Sequence, residues 1–145
     1  MNKLPELTAE NLPSVRKYLP DIFLQIEAMT STKTALLLVN GEYRGMQCPI
    51  AKGMTKVGRK TNAALAALIG EKHTERLAVT YGECRSFFVP RCIKARTILR
   101  NREILAEFDR MAGQGMTVRK ATRILAARYG ITQRRIFHIA KTTAE

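Results

Sequence analysis

Apolar residues recur at helical spacing near the C-terminal end of the chain and predict two helices joined by a tight turn. The stretch 117–141 reads TVRKATRILAARYGITQRRIFHIAK. Four apolar positions share one face of a first helix over about 118–129: Val118, Ala121, Ile124 and Leu125. Thr117 is a suitable N-cap, and Gly130 can adopt the left-handed conformation that ends a helix. Thr132 can then cap a second helix.

The second helix divides into an apolar inner side and a polar outer side. Its inner residues are Ile136, Ile139 and Ala140. Its outer side carries long hydrogen-bond donors and no acidic residue: Gln133, Arg134, Arg135, His138 and Lys141. Because cations suit phosphates and Gln or Arg suit base edges in the major groove, this pattern predicts a DNA-recognition helix. A solvated helical hairpin packed on the rest of the chain would show the same spacing.

Upstream, the pattern predicts an order of helix, helix, turn and strand that occurs twice. A first helix over 8–19 is interrupted at Pro13. The predicted elements that follow are helices over 21–29 and 34–40 with a strand over 43–49, and helices over 62–69 and 72–81 with a strand over 84–90. The stretches 36–49 and 77–90 share five identical positions at an offset of 41 residues. We interpret this as an internal duplication whose two strands pair antiparallel, since a lone strand leaves its backbone groups unpaired. Two ordinary turns before strands are the alternative.

Between the copies, the segment 52–62 contains two glycines and four cations, which fits a mobile, solvated linker better than a phosphate contact. After Pro90 a long helix is predicted over 95–111, ended by Gly113 and Gly115. Its inner face is Ile98, Ile104, Leu105 and Phe108, and its outer face is Arg96, Arg100, Arg102 and Glu103. This helix would be the first of a three-helix DNA-binding unit.

Charge supports a polyanionic partner for the C-terminal part. The formal net charge of the 145-residue chain is +13, of which +9 lies in residues 91–145 and +4 in residues 1–90. Such a field suits nucleic acid or an anionic membrane. The longest apolar run, 35–39, is too short to span a bilayer, and the N-terminal stretch lacks the apolar segment of a secretory signal. We therefore expect a cytoplasmic protein with no membrane role.

The sequence offers little for catalysis or metal binding. Cys48, Cys84 and Cys92 have no close metal-ligand spacing, and their odd number argues against a disulfide framework. We expect them to be reduced, with Cys48 and Cys84 buried. The carboxylates of the long helix, those of Glu103, Glu107 and Asp109, have the spacing of surface positions. We therefore expect no catalytic residue, no metal and no cofactor.

Three segments together resemble the Mor/C family of transcription activators from Mu-like phages: YGECRSFFVPRC at 81–92, RNREILAEFD at 100–109 and ARYGITQRRIFHIAK at 127–141. The resemblance covers about 62–142. It implies a helix-helix-strand dimerisation domain over 1–90, here built from two units (about 19–50 and 62–90), and a three-helix helix-turn-helix domain over 91–145. The fold class is accordingly mainly α with a small antiparallel β ribbon. The turn DRMAGQGMT and the additional upstream copy depart from the family pattern.

The resemblance also implies which residues meet DNA. Base reading carries over to Gln133, Arg134, Arg135 and His138, flanked by Thr132 and Lys141. Phosphate contacts carry over to Arg119 and Lys120, and the strand with its exit, Arg85 to Arg91, would lie near DNA. The implied partners are double-stranded DNA and host RNA polymerase, with either a homodimer or an internal pseudo-dimer that has one reading head. A helix-turn-helix scaffold that binds another protein, with weak or non-specific DNA binding, is the alternative.

Overall fold

The computed structural model describes residues 4–142. Within this range most of the chain is helical and one two-stranded antiparallel sheet is present, which confirms the predicted fold class. The elements in chain order are α1 (Leu12–Val15), α2 (Asp21–Met29), α3 (Thr32–Asn40), β1 (Gln47–Pro49), α4 (Lys56–Ile69), α5 (Glu71–Tyr81), β2 (Ser86–Phe88), α6 (Ile93–Gly113), α7 (Val118–Tyr129) and α8 (Gln133–Lys141). The described residues form two compact units, Leu7–Cys92 and a second made of 4–6 and 93–142. The functional division into a pairing part and a DNA-binding part stays a prediction.

The strands β1 and β2 pair with each other within the chain. Gln47 lies opposite Phe88, and Cys48 lies opposite Phe87. The predicted antiparallel pairing is thus confirmed, although both strands are shorter than predicted. Turns occupy the positions before β1, and a 3-10 turn over Gly82–Cys84 precedes β2, so that backbone is curled rather than extended.

The two helix-helix-strand copies repeat at an offset of 39 residues in their strands, and at the predicted 41 residues where α3 and α5 end. Helices α3 and α5 begin 39 residues apart, and so do β1 and β2. Buried side chains recur at this offset in three pairs: Ile26 and Leu65, Leu38 and Leu77, Cys48 and Phe87. The identities at offset 41 join equivalent places at the helix ends, since Gly41 and Gly82 are the C-caps of α3 and α5, but unequal places at the strands, since Pro49 ends β1 whereas Pro90 lies beyond β2. The predicted offset of 41 thus holds at the helix ends and is wrong at the strands, because the segment between α3 and β1 is two residues longer than the segment between α5 and β2.

The predicted mobile linker over 52–62 is also wrong, because most of it is the first part of α4. The Thr55 hydroxyl caps this helix by accepting from the backbone N of Gly58 at 2.9 Å. Asn62 then ties the preceding segment down, since its side chain accepts from Ala51 N at 2.9 Å and donates to Ala51 O at 2.8 Å. Two local hydrogen-bonding residues thus order a segment whose glycines and cations suggested mobility.

The N-terminal elements are shorter than the apolar pattern predicts. Thr8 and Asn11 exchange hydrogen bonds between their side chains and backbone N–H groups, which forms a turn where helix was predicted. The helical residues that follow are α1 and a 3-10 turn over Arg16–Tyr18. Helix α2 occupies its predicted range. Helix α3 begins two residues earlier than predicted because Ser31 caps it.

The second unit contains a three-helix core. Its buried members come from all three helices: Ile104, Met111, Ala121, Leu125, Ile136 and Ile139. Partly buried side chains that pack on this core include Phe108, Ile124 and Tyr129. The inner faces predicted for these helices are largely confirmed. Val118 is an exception, at 50 % exposure, because it is the first residue of α7 and the inner position is taken one turn later by Ala121.

Two arginines and one cysteine also lie elsewhere than predicted. Arg96 and Arg100 of α6 are buried rather than outside, because their long stems pack inward while their guanidinium groups find oxygen acceptors. Arg96 donates to Pro5 O at 3.2 Å, and Arg100 donates to Asn101 Oδ1 at 3.1 Å. Cys84 is exposed rather than buried because it lies in the 3-10 turn before β2, whereas Cys48 is buried as predicted.

Glu27 provides a prediction on pH and stability. The Arg16 guanidinium donates to its carboxylate at 2.7 and 3.0 Å, and Thr32 Oγ1 donates at 2.8 Å. The hydrogen bonds from Arg16, and secondarily from Thr32, lower the pKa of Glu27. A lowered pKa stabilises the fold above the carboxyl's ordinary pKa, and this stabilisation is lost as pH falls through the folded pKa.

We expect Glu27→Gln to lower the free energy of unfolding at pH 7 by about 1 kcal/mol, since Arg16 is half exposed and screened. In urea titrations from pH 7 to pH 3 the difference between variant and wild type should shrink. Arg16→Gln, alone and combined with Glu27→Gln, is the matched control. A difference that is constant across this pH range would contradict the assignment.

Candidate nucleic-acid interface

The geometry of the α7–α8 pair is determined by three residues at its helix ends. Thr117 caps α7, its hydroxyl accepting from Lys120 N at 3.2 Å, and Thr132 caps α8 by accepting from Arg135 N at 3.0 Å. Between the helices, Gly130 adopts φ 69° and ψ 29°, the left-handed conformation that residues with a Cβ atom rarely occupy. The predicted caps and turn are confirmed, and they orient α8 relative to α7.

Helix α8 has one buried side and one solvent side. Ile136 and Ile139 are buried in the three-helix core. The predicted outer residues are all exposed: Gln133, Arg134, Arg135, His138 and Lys141. Because the two apolar side chains anchor the helix, the polar row is held on a rigid element with its donors facing solvent.

The outer side of α8 carries positive charge that no acidic residue neutralises within residues 4–142. Neither Arg134 nor Arg135 has an ion pair in that range. Burial, and secondarily the positive charge of Arg135, lower the pKa of the buried Arg100. By contrast, Arg110 and Arg128 on the other helices share the carboxylate of Glu107, at 2.6 and 3.4 Å. The unit thus contains two arginines on α6 and α7 that pair with Glu107, and a row of cations on α8 for which no ion pair occurs within residues 4–142.

Phe137 is a surface residue that the sequence interpretation missed. Its side chain is 45 % exposed, and the Lys141 ammonium lies 5.1 Å from its ring centroid. It lines a shallow depression together with cationic and polar neighbours from the same segment: Thr132, Arg134, Arg135, His138 and Lys141. The signal was present in the spacing, since 133, 137 and 141 follow each other at i, i+4 on the outer side.

The remaining predicted residues fall into two groups. Arg119 and Lys120 are exposed in the first turn of α7, where unsatisfied backbone N–H groups add partial positive charge. Arg85 and Arg91 flank β2 in the other compact unit and are both exposed. A Cβ atom at Gly45 would overlap the Arg91 side chain, so glycine at this turn allows Arg91 to lie against the backbone before β1. Thr132 has a structural role, since its hydroxyl is used by the cap.

The cysteine, histidine and acidic side chains of the described part of the chain are not grouped for metal binding. Within residues 4–142 no group of three His, Cys, Asp or Glu side chains could hold a metal ion. Burial, and secondarily the charge of Glu42, raise the pKa of Cys48 to about 12, so this thiol is protonated near neutral pH. None of the helices in the same range is long and apolar enough to cross a membrane.

Comparison with known proteins assigns the chain to a family. The family model described as Mor transcription activator family matches residues 46–145, from the residue before β1 through the three-helix unit. The match is longer at both ends than the 62–142 of the sequence resemblance, and helices α1 to α3 lie outside it. No curated protein and no solved structure matched the chain. The chain belongs to the Mor transcription activator family.

Proposed function

We propose that the protein binds promoter DNA in a sequence-specific manner by placing the outer side of α8 in the major groove. The single observation that carries this proposal is the exposed row of donors on α8, which faces solvent without an acidic partner in residues 4–142. A helix of this kind offers cations to phosphates and Arg or Gln side chains to base edges.

Base reading is assigned to Gln133, Arg134, Arg135 and His138, with Lys141 on the adjacent phosphates. A bidentate Arg suits a guanine and a bidentate Gln suits an adenine. Arg119 and Lys120 would contact the phosphate backbone from the start of α7, where the helix N-terminus also favours an anion. Thr132 holds the N-terminus of α8 in place through its cap, and it lies beside the residues assigned to base reading.

Activation of transcription would follow from recruiting the host RNA polymerase to a phage or prophage promoter in the cytoplasm. The support for this step is the family itself, a family of transcription activators. The test is transcription by that polymerase from a template carrying the preferred site, with and without the protein. We expect more transcript with wild type and none of this increase with an α8 variant. Specific DNA binding that leaves transcript levels unchanged would contradict activation, and a saturable protein partner without sequence preference would favour the protein-binding alternative.

Two substitutions of Arg85 separate its contribution to DNA binding from the backbone strain at this position. This residue has φ 66°, in the left-handed region, and its side chain is exposed. We expect Arg85→Gly to raise the free energy of unfolding by about 1 kcal/mol, since glycine removes the cost of that conformation, whereas Arg85→Ala retains the cost. Both variants lose the cation, so DNA affinity should fall by a similar factor in the two. Chemical denaturation and binding titrations measure the two effects. Unchanged affinity in both variants would remove Arg85 from the interface.

A further inference from the structure

We propose that the two helix-helix-strand copies of a single chain pair with each other and carry one reading head, the α7–α8 pair. The DNA target of one chain is then a single half-site without two-fold symmetry. The inference rests on the proposed function for the DNA part, and on the in-chain pairing of β1 and β2 for the rest. It concerns which sites the protein selects and how many chains occupy each of them.

Two hydrogen bonds at opposite ends of the ribbon are related by a local two-fold axis. Val89 N donates to Met46 O at 3.0 Å, and Ile50 N donates to Arg85 O at 3.0 Å. An offset of 39 residues converts one bond into the other, so the two-fold axis passes between Cys48 and its opposite residue, Phe87. Both of these side chains are buried. One chain therefore supplies both halves of an arrangement that two identical chains would otherwise have to form.

The helices follow the same relation. Helix α2 of the first copy packs on α5 of the second, and α3 packs on α4. On the α2 side, Arg76 donates to Met29 O at 3.2 Å, and the Tyr81 hydroxyl donates to Gln25 Oε1 at 3.2 Å. Each copy thus covers the other, and the surface through which such units would pair is occupied within the chain.

The two strands continue into different structures. After β2 the chain enters the three-helix unit that begins at Ile93, whereas after β1 a short segment leads into α4. Within residues 4–142 only one helix-turn-helix pair is therefore attached to a paired core with two halves. Palindromic operators reflect two reading heads related by a two-fold axis. A single head selects one half-site with no symmetric partner.

In-chain pairing can be tested with an isotope-coded cross-link. Gln47 and Phe88 lie opposite each other, outside the hydrogen-bonded pairs, and both side chains are exposed. Opposite residues of this kind are within disulfide range. Full-length protein with Gln47→Cys, Phe88→Cys and Cys84→Ser is prepared in ¹⁴N and ¹⁵N forms, which are mixed, unfolded, refolded together and oxidised. Mass spectrometry then reads the linked peptides that contain residues 47 and 88.

We expect linked peptides of unmixed isotope composition only, from a protein that sediments as a 16.3 kDa monomer. A linked population that is about half mixed would show pairing between chains and would overturn the proposal. The matched controls for non-specific oxidation are two variants that carry Cys84→Ser and only one of the introduced cysteines, either Gln47→Cys or Phe88→Cys. If the triple variant does not refold, the mass of the wild-type protein in solution is measured instead. A stable dimer at micromolar concentration would also overturn the proposal.

The DNA part is tested by sedimentation of the wild-type complex on its selected duplex. One chain per duplex, on a site without two-fold symmetry, is the expected result. Two chains on a palindrome with half-sites one helical turn apart would overturn the single head while leaving the proposed function intact. A third outcome is a monomer whose cross-links are of unmixed isotope composition but which selects no DNA sequence. This outcome would overturn the proposed function and the single reading head, and the in-chain pairing would stand.

Discussion

Replacing Arg134 and Arg135 together by alanine is expected to lower affinity for the preferred DNA sharply and to relax its base preference. An arginine that reads a guanine contributes about 1–3 kcal/mol of discrimination, a factor of roughly 5 to 150 for each residue. Both side chains are exposed on α8, and the inner residues Ile136 and Ile139 hold the helix without them. The fold should therefore survive the change.

Binding titrations against the preferred duplex and its single-base variants measure this effect. The matched control is Arg128→Ala, which removes an exposed arginine of the same unit that pairs with Glu107 at 3.4 Å and lies on α7. We expect this control to bind close to wild type with the same preferences. If the double variant kept the wild-type preference at every base, α8 would not be the reading helix.

Affinity for DNA should fall steeply with salt, because phosphate contacts release counterions. If about five cations neutralise phosphates, the slope of log K against log salt is about −4.5, and affinity falls about 500-fold between 50 and 200 mM. Titrations at four or more salt concentrations measure the slope.

The predicted salt dependence can be assigned to individual residues by replacing Arg119 and Lys120. Replacing each by alanine should make the slope less negative by about one, while the base preference stays that of wild type. The cap at Thr117 uses the Lys120 backbone N–H and is therefore unaffected by the substitution. A slope that did not change in the double variant would place the start of α7 away from the phosphates, and a slope near zero in wild type would contradict an electrostatic interface altogether.

Local signals explain why the α7–α8 pair was predictable from sequence. Thr117, Gly130 and Thr132 act on their own neighbouring backbone, so their identities and spacing are enough to predict where each helix begins and ends. The exposed row of α8 follows from the same periodicity. Phe137 was missed because aromatic side chains are often buried, although its spacing from residues 133 and 141 places it on the outer side.

Features that depend on contacts between residues distant in the sequence could not be predicted in the same way. The stems of Arg96 and Arg100 are buried because of what surrounds α6 in space, which helical periodicity does not reveal. Asn62 orders its upstream segment by reaching back eleven residues to Ala51, and composition alone suggested a mobile linker. Identical residues indicated the correct repeat offset at the helix ends but not at the strands, because the two segments that join helix and strand differ in length by two residues.

Selection from a random duplex pool by the full-length protein, at two salt concentrations, decides whether α8 recognises a DNA sequence. We expect a short enriched sequence at both concentrations, with weaker overall retention of DNA at the higher one and loss of enrichment in the Arg134→Ala, Arg135→Ala variant. If the wild-type protein enriched no sequence at either salt concentration, α8 would not be a sequence-reading helix.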